Sequence, residues 1–400
     1  MTLTDLTYAY DPDGQLTAIL DNLDPAKSRA ISYDALNRLV QVAEGVPVAQ
    51  GGVPVPVEDY AYDGEGNRTA SHLSAMYSSN GHNQLLEDEG YSYAYDAKGN
   101  RISRTSKADG AVESYAYDSQ NRLVGYSSAT TTANYAYDAL DRRIAKTVDG
   151  VTEATVYDPW SPARTTSNDR ALDFRAGSLI RRWLFGPTVD EPLEFEGYAG
   201  TTAPGTGSAV GLFANRLGSI LSAVTLSTGA VAADYDYDSF GGRTETGTLE
   251  QPYGFTGREH DAESGLIHFR ARAYDPETGR FLQVDPLEFA AGDLNLSAYV
   301  KSNPYNRTDP TGRTAWAECT AGSQRGGACG SMAGTIMPTV SVVQGLADLI
   351  GLTIVQMSMD DPDLDNWLDS DDPRAGHNGP PRGAAAASAL RSGSVQRSQL

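Results

Sequence analysis

Few side chains in this 400-residue sequence are spaced for chemistry. The two cysteines, Cys319 and Cys329, stand ten residues apart, and there are five histidines. No C-x-x-C, H-E-x-x-H, paired-histidine or Gly-rich phosphate-loop pattern occurs. The spacing therefore supports no metal site, no cofactor and no recognisable toxin active site. His377 stands alone in a Gly/Pro stretch and reads as solvated, while His260 and His268 read as packing or surface residues. The carboxylates that follow tyrosine are different, because they recur. Tyr-Asp occurs at Tyr10-Asp11, Tyr33-Asp34, Tyr62-Asp63, Tyr95-Asp96, Tyr117-Asp118, Tyr137-Asp138 and Tyr157-Asp158, in steps of 23, 29, 33, 22, 20 and 20 residues, with a later copy at Tyr237-Asp238. Such recurrence points to architecture before it points to binding or catalysis by single copies.

The element that must carry these pairs is a hairpin. The fuller unit is Y-x-Y-D-x-x-x-N-R-hydrophobic, as over 115–123, with close copies over 60–68 and 93–101. Tyrosines at i and i+2 share one face of a strand. Asp with a following Gly or Asn suits a tight turn. Arg opens the return strand, and an Asp–Arg pair across an exposed turn is worth ~0.2–1 kcal/mol. One such hairpin is marginal alone, so neighbours must stack into a long sheet. The 22 Tyr against 9 Phe and 4 Trp, with 41 Gly and 20 Pro, fit strands joined by many turns. A net charge of −21, from 52 acidic and 31 basic residues, argues against a nucleic-acid binder and for a dispersed, soluble protein. Residues 1–8 carry neither a basic nor an apolar leader region, so no Sec signal is read. Export would need a dedicated secretion system or a fusion partner; otherwise the chain is cytoplasmic.

These units resemble the YD repeats of bacterial Rhs proteins, of the C components of insecticidal Tc toxins and of teneurins. The resemblance implies an all-β fold, with YD hairpins wound into a β-shell that encloses polypeptide. Seven clear N-terminal units suggest a partial shell, and a start inside a repeat suggests a displaced tip or half of a split gene. Residues 212–313 resemble the Rhs repeat-associated core more specifically. The matches run in order through Leu217-Gly-Ser219 (with Arg216 in place of His), Tyr235–Gly241, Tyr253–Glu259, Glu263–Leu266, Phe269–Leu282, Asp285-Pro286, Asn303-Pro304 and Asp309–Gly312. Phe255, Phe269, Tyr274, Phe281 and Leu282 are expected in the core.

Some Rhs proteins cut themselves just after this motif. By resemblance, Asp285 and Asp309 would be the carboxylate pair, Arg280 would orient a carboxylate or polarise the carbonyl, and the cut would fall just after Gly312, at Arg313–Thr314. Two close carboxylates split their pKa values, so one can act as base while the other holds a proton. The sequence departs from the family pattern at Glu288, which replaces a Gly, and at Arg313, which replaces an apolar residue. Asp285 and Asp309 as plain turn formers is the alternative.

The expected organisation is YD repeats over 1–165, further shell strands over 166–211, the core over 212–313 and a variable tail over 314–400. In the tail, 331–359 is mostly apolar and reads as a buried or amphipathic helix, since Asp348 opposes membrane insertion. Residues 374–400 read as disordered. Three functions follow: a shell that encloses or presents its C-terminal segment in interbacterial competition or toxin delivery, a self-cleaving aspartyl-type autoprotease, or a surface module for adhesion or carbohydrate. The expected partners are the chain's own tail, an upstream Rhs fragment or secretion spike, and an immunity protein.

Overall fold

The computed structural model describes residues 3–158, 169–200 and 203–313, and the backbone of 316–317, all within the unit Met1–Gln344. The expectations for the tail beyond residue 317 lie outside the described residues, as do both cysteines and His377.

Every Tyr-Asp unit except Tyr157-Asp158, whose following residues 159–168 lie outside the described ones, builds the same turn. At Asp118, the main-chain N–H of Asn121 donates to its carbonyl at 3.1 Å, and its own N–H donates to Arg122 O at 3.1 Å. Its Oδ1 accepts from the N–H groups of Gln120 and Arg122 at 2.9 and 3.0 Å. Its Oδ2 takes the Arg122 guanidinium at 2.7 Å. Asp34 and Asp138 repeat this pattern with Arg38 and Arg142, both at 2.7 Å. The third residue after the Asp has positive φ, which is why it is Asn37, Gly66, Gly99, Asn121 or Asp141. The turn also forms without Tyr-Asp. Asn80 and Asn215 accept the same two N–H groups, so Leu217-Gly-Ser219 is the second half of a shell turn.

The strands alternate as expected. Tyr60, Tyr93, Tyr115 and Tyr135 are buried on one face, while the intervening Ala61, Ala94, Ala116 and Ala136 are exposed. The second tyrosine of a unit does something more. Its hydroxyl donates to a carbonyl of the preceding hairpin: Tyr33 to Leu16 at 2.8 Å, Tyr117 to Arg101 at 2.7 Å, Tyr137 to Leu123 at 2.8 Å and Tyr157 to Arg143 at 2.9 Å. Beside it the register slips by one residue. Ala116 faces Gly125 but Tyr117 faces Leu123, and the same β-bulge recurs at Tyr10, Tyr33, Tyr62, Tyr137 and Tyr157. A bulge bends and twists its strand, so one placed in hairpin after hairpin curls the whole ribbon.

The ribbon runs in strict chain order. Strands from Leu6–Tyr10 to Arg68–Ser71 form a six-stranded antiparallel sheet, and strands from Tyr77–Ser79 to Arg243–Gly247 form a sixteen-stranded one. A hydrogen bond between the Ser71 and Tyr77 hydroxyls, at 2.8 Å, links them. The far end returns to the start. Arg29 donates to Tyr237 O at 2.9 Å and pairs with Asp236 at 3.1 Å. Glu58 accepts the Ser239 N–H at 3.1 Å, and the Tyr60 and Phe240 rings lie 5.1 Å apart. Within this curl sits a four-stranded sheet, Glu259–Asp261, Leu266–Phe269, Arg272–Asp275 and Arg280–Phe281. Phe255, Phe269, Tyr274, Phe281 and Leu282 are buried there as expected, with Tyr299 packed among them. The fold is an all-β shell around its own core segment.

The residue opening a return strand shows how the ribbon fits the core segment from Tyr253 to Gly312, the plug. It is buried in both of its forms, apolar at Leu16, Leu39, Leu85, Leu123 and Ile220 and arginine at Arg68, Arg101, Arg143 and Arg170, while Arg243 in the last hairpin is half-buried. The arginines lie where the plug presents polar groups. Arg101 pairs with Asp275 at 2.8 Å, and Arg143 pairs with Asp261 and Glu259 at 2.6 and 2.7 Å. Arg68 donates to Glu277 O at 3.3 Å. Arg170 joins Glu259, and Lys146 joins Glu263 at 3.0 Å. Burial pushes the Glu259 carboxyl up, but Arg170 and Arg143 outweigh it and hold the group well below the usual range.

Candidate functional site

The plug ends where the chain leaves it, and the acidic residues flagged by the sequence meet at that point. Asp285 follows the last plug strand, and its Oδ1 accepts the Leu287 N–H at 2.8 Å. Asp309 opens the exit turn, where Pro310, Thr311 and Gly312 reverse the chain. Thr308 then pairs with Trp316, and Arg307 with Ala317, in a short antiparallel ladder. Gly312 is required there: its φ is +68°, and a Cβ would meet Phe269 O at 2.0 Å.

One guanidinium joins these parts, and it is Arg272. Its Nη2 lies 2.9 Å from Asp285 Oδ2 and 3.1 Å from Asp309 Oδ2. Its Nε donates to Gly312 O at 2.5 Å, and its Nη1 donates to Leu296 O at 3.2 Å. The Phe281 ring lies 3.6 Å below. The Arg313 N–H donates to Asp309 Oδ1 at 3.1 Å. The Gly312–Arg313 peptide is thus held on both sides, its carbonyl by Arg272 and its amide by Asp309. Arg258 and Arg270 fix the turn from behind through Pro310 O and Asp190.

Asp285 and Asp309 are buried, whereas Arg313 is exposed. All three line a cleft of ≈ 20 Å³, room for about one water. Burial lifts the Asp285 carboxyl above its ordinary range, against the pull of Arg272. The cleft wall is strained, because Val300 and Lys301 have φ of 44° and 57°; beside it in the chain, Ser302 has 57° and Glu288 has 49°. Each costs on the order of 1–3 kcal/mol, and such residues gather at functional sites. Glu288 therefore occupies the left-handed position for which a Gly is suited.

Arg280 lies apart from this group. It donates to Asn67 Oδ1 at 3.2 Å, to Asn83 O and to Asn295 Oδ1 at 3.3 Å, fastening the plug to the ribbon. The sequence reading missed Arg272. The available signal was parity: Arg272 precedes Tyr274 by two on one strand and so faces inward with it. His260 and His268 are pushed down to about 3 by burial and are neutral packing groups, with His260 Nε2 accepting the Phe255 N–H at 3.0 Å. Among the described residues no cluster suits a metal ion, and no helix is long and apolar enough to cross a membrane.

A curled ribbon of Tyr-Asp hairpins around a docked core, with a carboxylate pair at the chain exit, defines a β-shell protein. Residues 2–159 match the teneurin YD-shell family model. The tRNA nuclease WapA of Bacillus subtilis is 29% identical over 307 residues, covering 72% of this chain and 12% of that protein. Toxin protein Tse5 of Pseudomonas aeruginosa is 29% identical over 364 residues, covering 76% of this chain and 26% of that one. Probable deoxyribonuclease RhsB of Dickeya dadantii is 28% identical over 324 residues, with shares of 76% and 20%. The Photorhabdus luminescens Tc holotoxin pore superposes with a TM-score of 0.60 at 18% identity over 80% of this chain and 17% of that one, a likeness of fold. Together these likenesses support an Rhs/YD-shell protein, with the family model covering residues 2–159. It spans about a quarter or less of the length of these relatives.

Proposed function

We propose that this chain is the closing portion of an Rhs-type shell that encloses or presents the segment beyond residue 313, in toxin delivery between bacteria. The observation that carries this reading is the wrapped plug, which ends at Gly312 in a turn gripped by Arg272. The partners are then the tail itself, upstream shell segments, a secretion spike and an immunity protein, and the route out of the cell is a dedicated secretion system. The test is growth of a bacterial host expressing residues 313–400 alone or the full chain. Arrest by the segment, suppressed in the full chain, is expected. Equal growth in both would remove the effector role of the tail.

The exit geometry also favours self-release. Water attacks the Gly312 carbonyl carbon and gives a proton to Asp309. The oxyanion is stabilised by Arg272 and by the proton held on Asp285. Collapse breaks the C–N bond as Asp309 returns its proton to the Arg313 nitrogen. The products are a Gly312 carboxylate and a new amine at Arg313. On this reading the cut falls one bond before Arg313–Thr314, a choice supported by the contacts on Gly312 O and Arg313 N. Denaturing intact-mass analysis tests it, since the ladder to Trp316 would hold a cut tail in place. A fragment ending at Gly312 is expected, and Asp285→Asn, Asp309→Asn and Arg272→Met each slow its appearance by at least ~10²-fold, as lost oxyanion or acid–base groups do. A wild-type chain that stays whole on long incubation would sink the reading.

A further inference from the structure

We infer that Arg313 acts as a brake on self-release: its positive charge at the mouth of the exit cleft opposes the proton that Asp285 and Asp309 must keep between them, so release is slow near neutrality and quickens in mild acid. The inference rests on the self-cleavage reading. Arg313 is exposed, and its main chain is fixed at the cleft, where its N–H donates to Asp309 Oδ1 at 3.1 Å and to Thr311 Oγ1 at 3.2 Å. It lines the same water-sized space as the two carboxylates. The charged groups facing Asp285 are Arg272 from the plug strand, Asp309 and Arg313 from the exit turn, and Asp293 and Lys301 across the cleft.

These groups divide by role. Arg272 is buried and committed to Gly312 O, so its charge belongs to the oxyanion site. Lys301 is tied to Gly292 O at 2.6 Å. Arg313 is the cation that sits at the scissile amide without holding the reacting carbonyl, so its charge can change while that site stays built. Burial first, and Asp309 after it, favour the protonated Asp285; Arg272, the Leu287 N–H and Arg313 oppose it. A single proton on a close carboxylate pair is what lets one member act as acid and the other as base. Removing the Arg313 charge therefore extends the singly protonated state to higher pH.

The experiment uses the full chain made by pulse-labelled cell-free synthesis, shifted into buffers from mildly acidic to mildly alkaline and followed on denaturing gels. For wild type the rate should fall as pH rises through the weakly acidic range. Arg313→Gln should move that fall upward by about half to one pH unit, a gain of roughly three- to tenfold on the alkaline side, since the protonated fraction changes tenfold per unit. Arg313→Lys should leave the position of the fall where it is. If wild type cuts and the Gln profile coincides with it, or if Lys moves the profile as far as Gln does, the brake is refuted while self-release stands. If wild type cuts at no pH, self-release itself is refuted, and the brake with it.

Discussion

The buried charges are where single residues matter most. Asp238 illustrates this at the seam where the ribbon meets its own start. Burial, with the Glu58 carboxylate beside it, pushes Asp238 up to about 6, although its Oδ1 accepts two main-chain N–H groups at 2.9 and 2.8 Å. The folded value is above the unfolded one. The ionised group therefore weakens the fold above pH 6, and that penalty is lost as pH falls toward the unfolded value, a difference of up to ~3 kcal/mol. Asp238→Asn keeps the acceptor and removes the titration. Its stability advantage over wild type in urea should be largest above neutrality and vanish in acid; an advantage independent of pH would overturn this account. The same scale shows what a sequence discloses. Asp285 and Asp309 were legible because Asp-Pro within an ordered motif is distinctive. Arg272 was not, because one arginine among Phe269-Arg-Ala-Arg looks like any other until the strand's inward face is known. Arg280 drew attention through motif position, but its partners are asparagines.

The hairpin was the most legible element, since its Asp, its left-handed residue and its Arg each answer a local requirement of the turn. Two parts of it were not legible. Turns at Asn80 and Asn215 lack the Tyr-Asp mark, because the turn needs a side-chain oxygen and does not need tyrosine. The tyrosine hydroxyl's link to the previous hairpin is non-local and leaves no spacing signature, as its sequence separation varies from 14 to 17 residues. That link gives a prediction for the element. Tyr117→Phe removes only the bond to Arg101 O and should cost ~0.5–1.5 kcal/mol. Asp118→Ala unties two N–H groups and Arg122 together and should cost more, ~1–3 kcal/mol. Chemical denaturation of both variants decides the order, and a Tyr117→Phe loss equal to that of Asp118→Ala would mean the hydroxyl does more than this bond.

At the scale of the molecule, the β-shell class was readable from repetition, and the curl was not, because bulges are set by register. Nor could composition show that a strongly acidic chain buries its arginines. Arg143 is buried against Asp261 and Glu259, so Arg143→Met should cost ~3–5 kcal/mol by leaving Asp261 with Lys146 and Glu259 with Arg170 as their remaining cations. Combining it with Asp261→Leu should recover much of that loss, because Glu259 keeps Arg170 and Lys146 keeps Glu263. Thermal unfolding of the single and double variants makes the comparison, and a double variant as weak as the single one would show that the ions supply more than mutual neutralisation.

The pairing of ribbon arginines with plug carboxylates works as an address. Asp275, Asp261 and Glu259 each find their cation at a fixed hairpin, so the plug counts hairpins as it docks. Insertion or loss of one hairpin between Arg101 and Arg170 would set leucine opposite carboxylate and arginine opposite apolar surface. Ribbon length in that stretch is therefore locked to the plug by charge, whereas the hairpins before Arg68, which place leucine inward at Leu16 and Leu39, are held by neutral and seam contacts such as Leu16 N–H to Asn306 Oδ1 and Arg29 to Asp236. Exchange of segments between relatives should leave the charged hairpins from Arg68 to Arg170 travelling with the plug they answer, as one cassette.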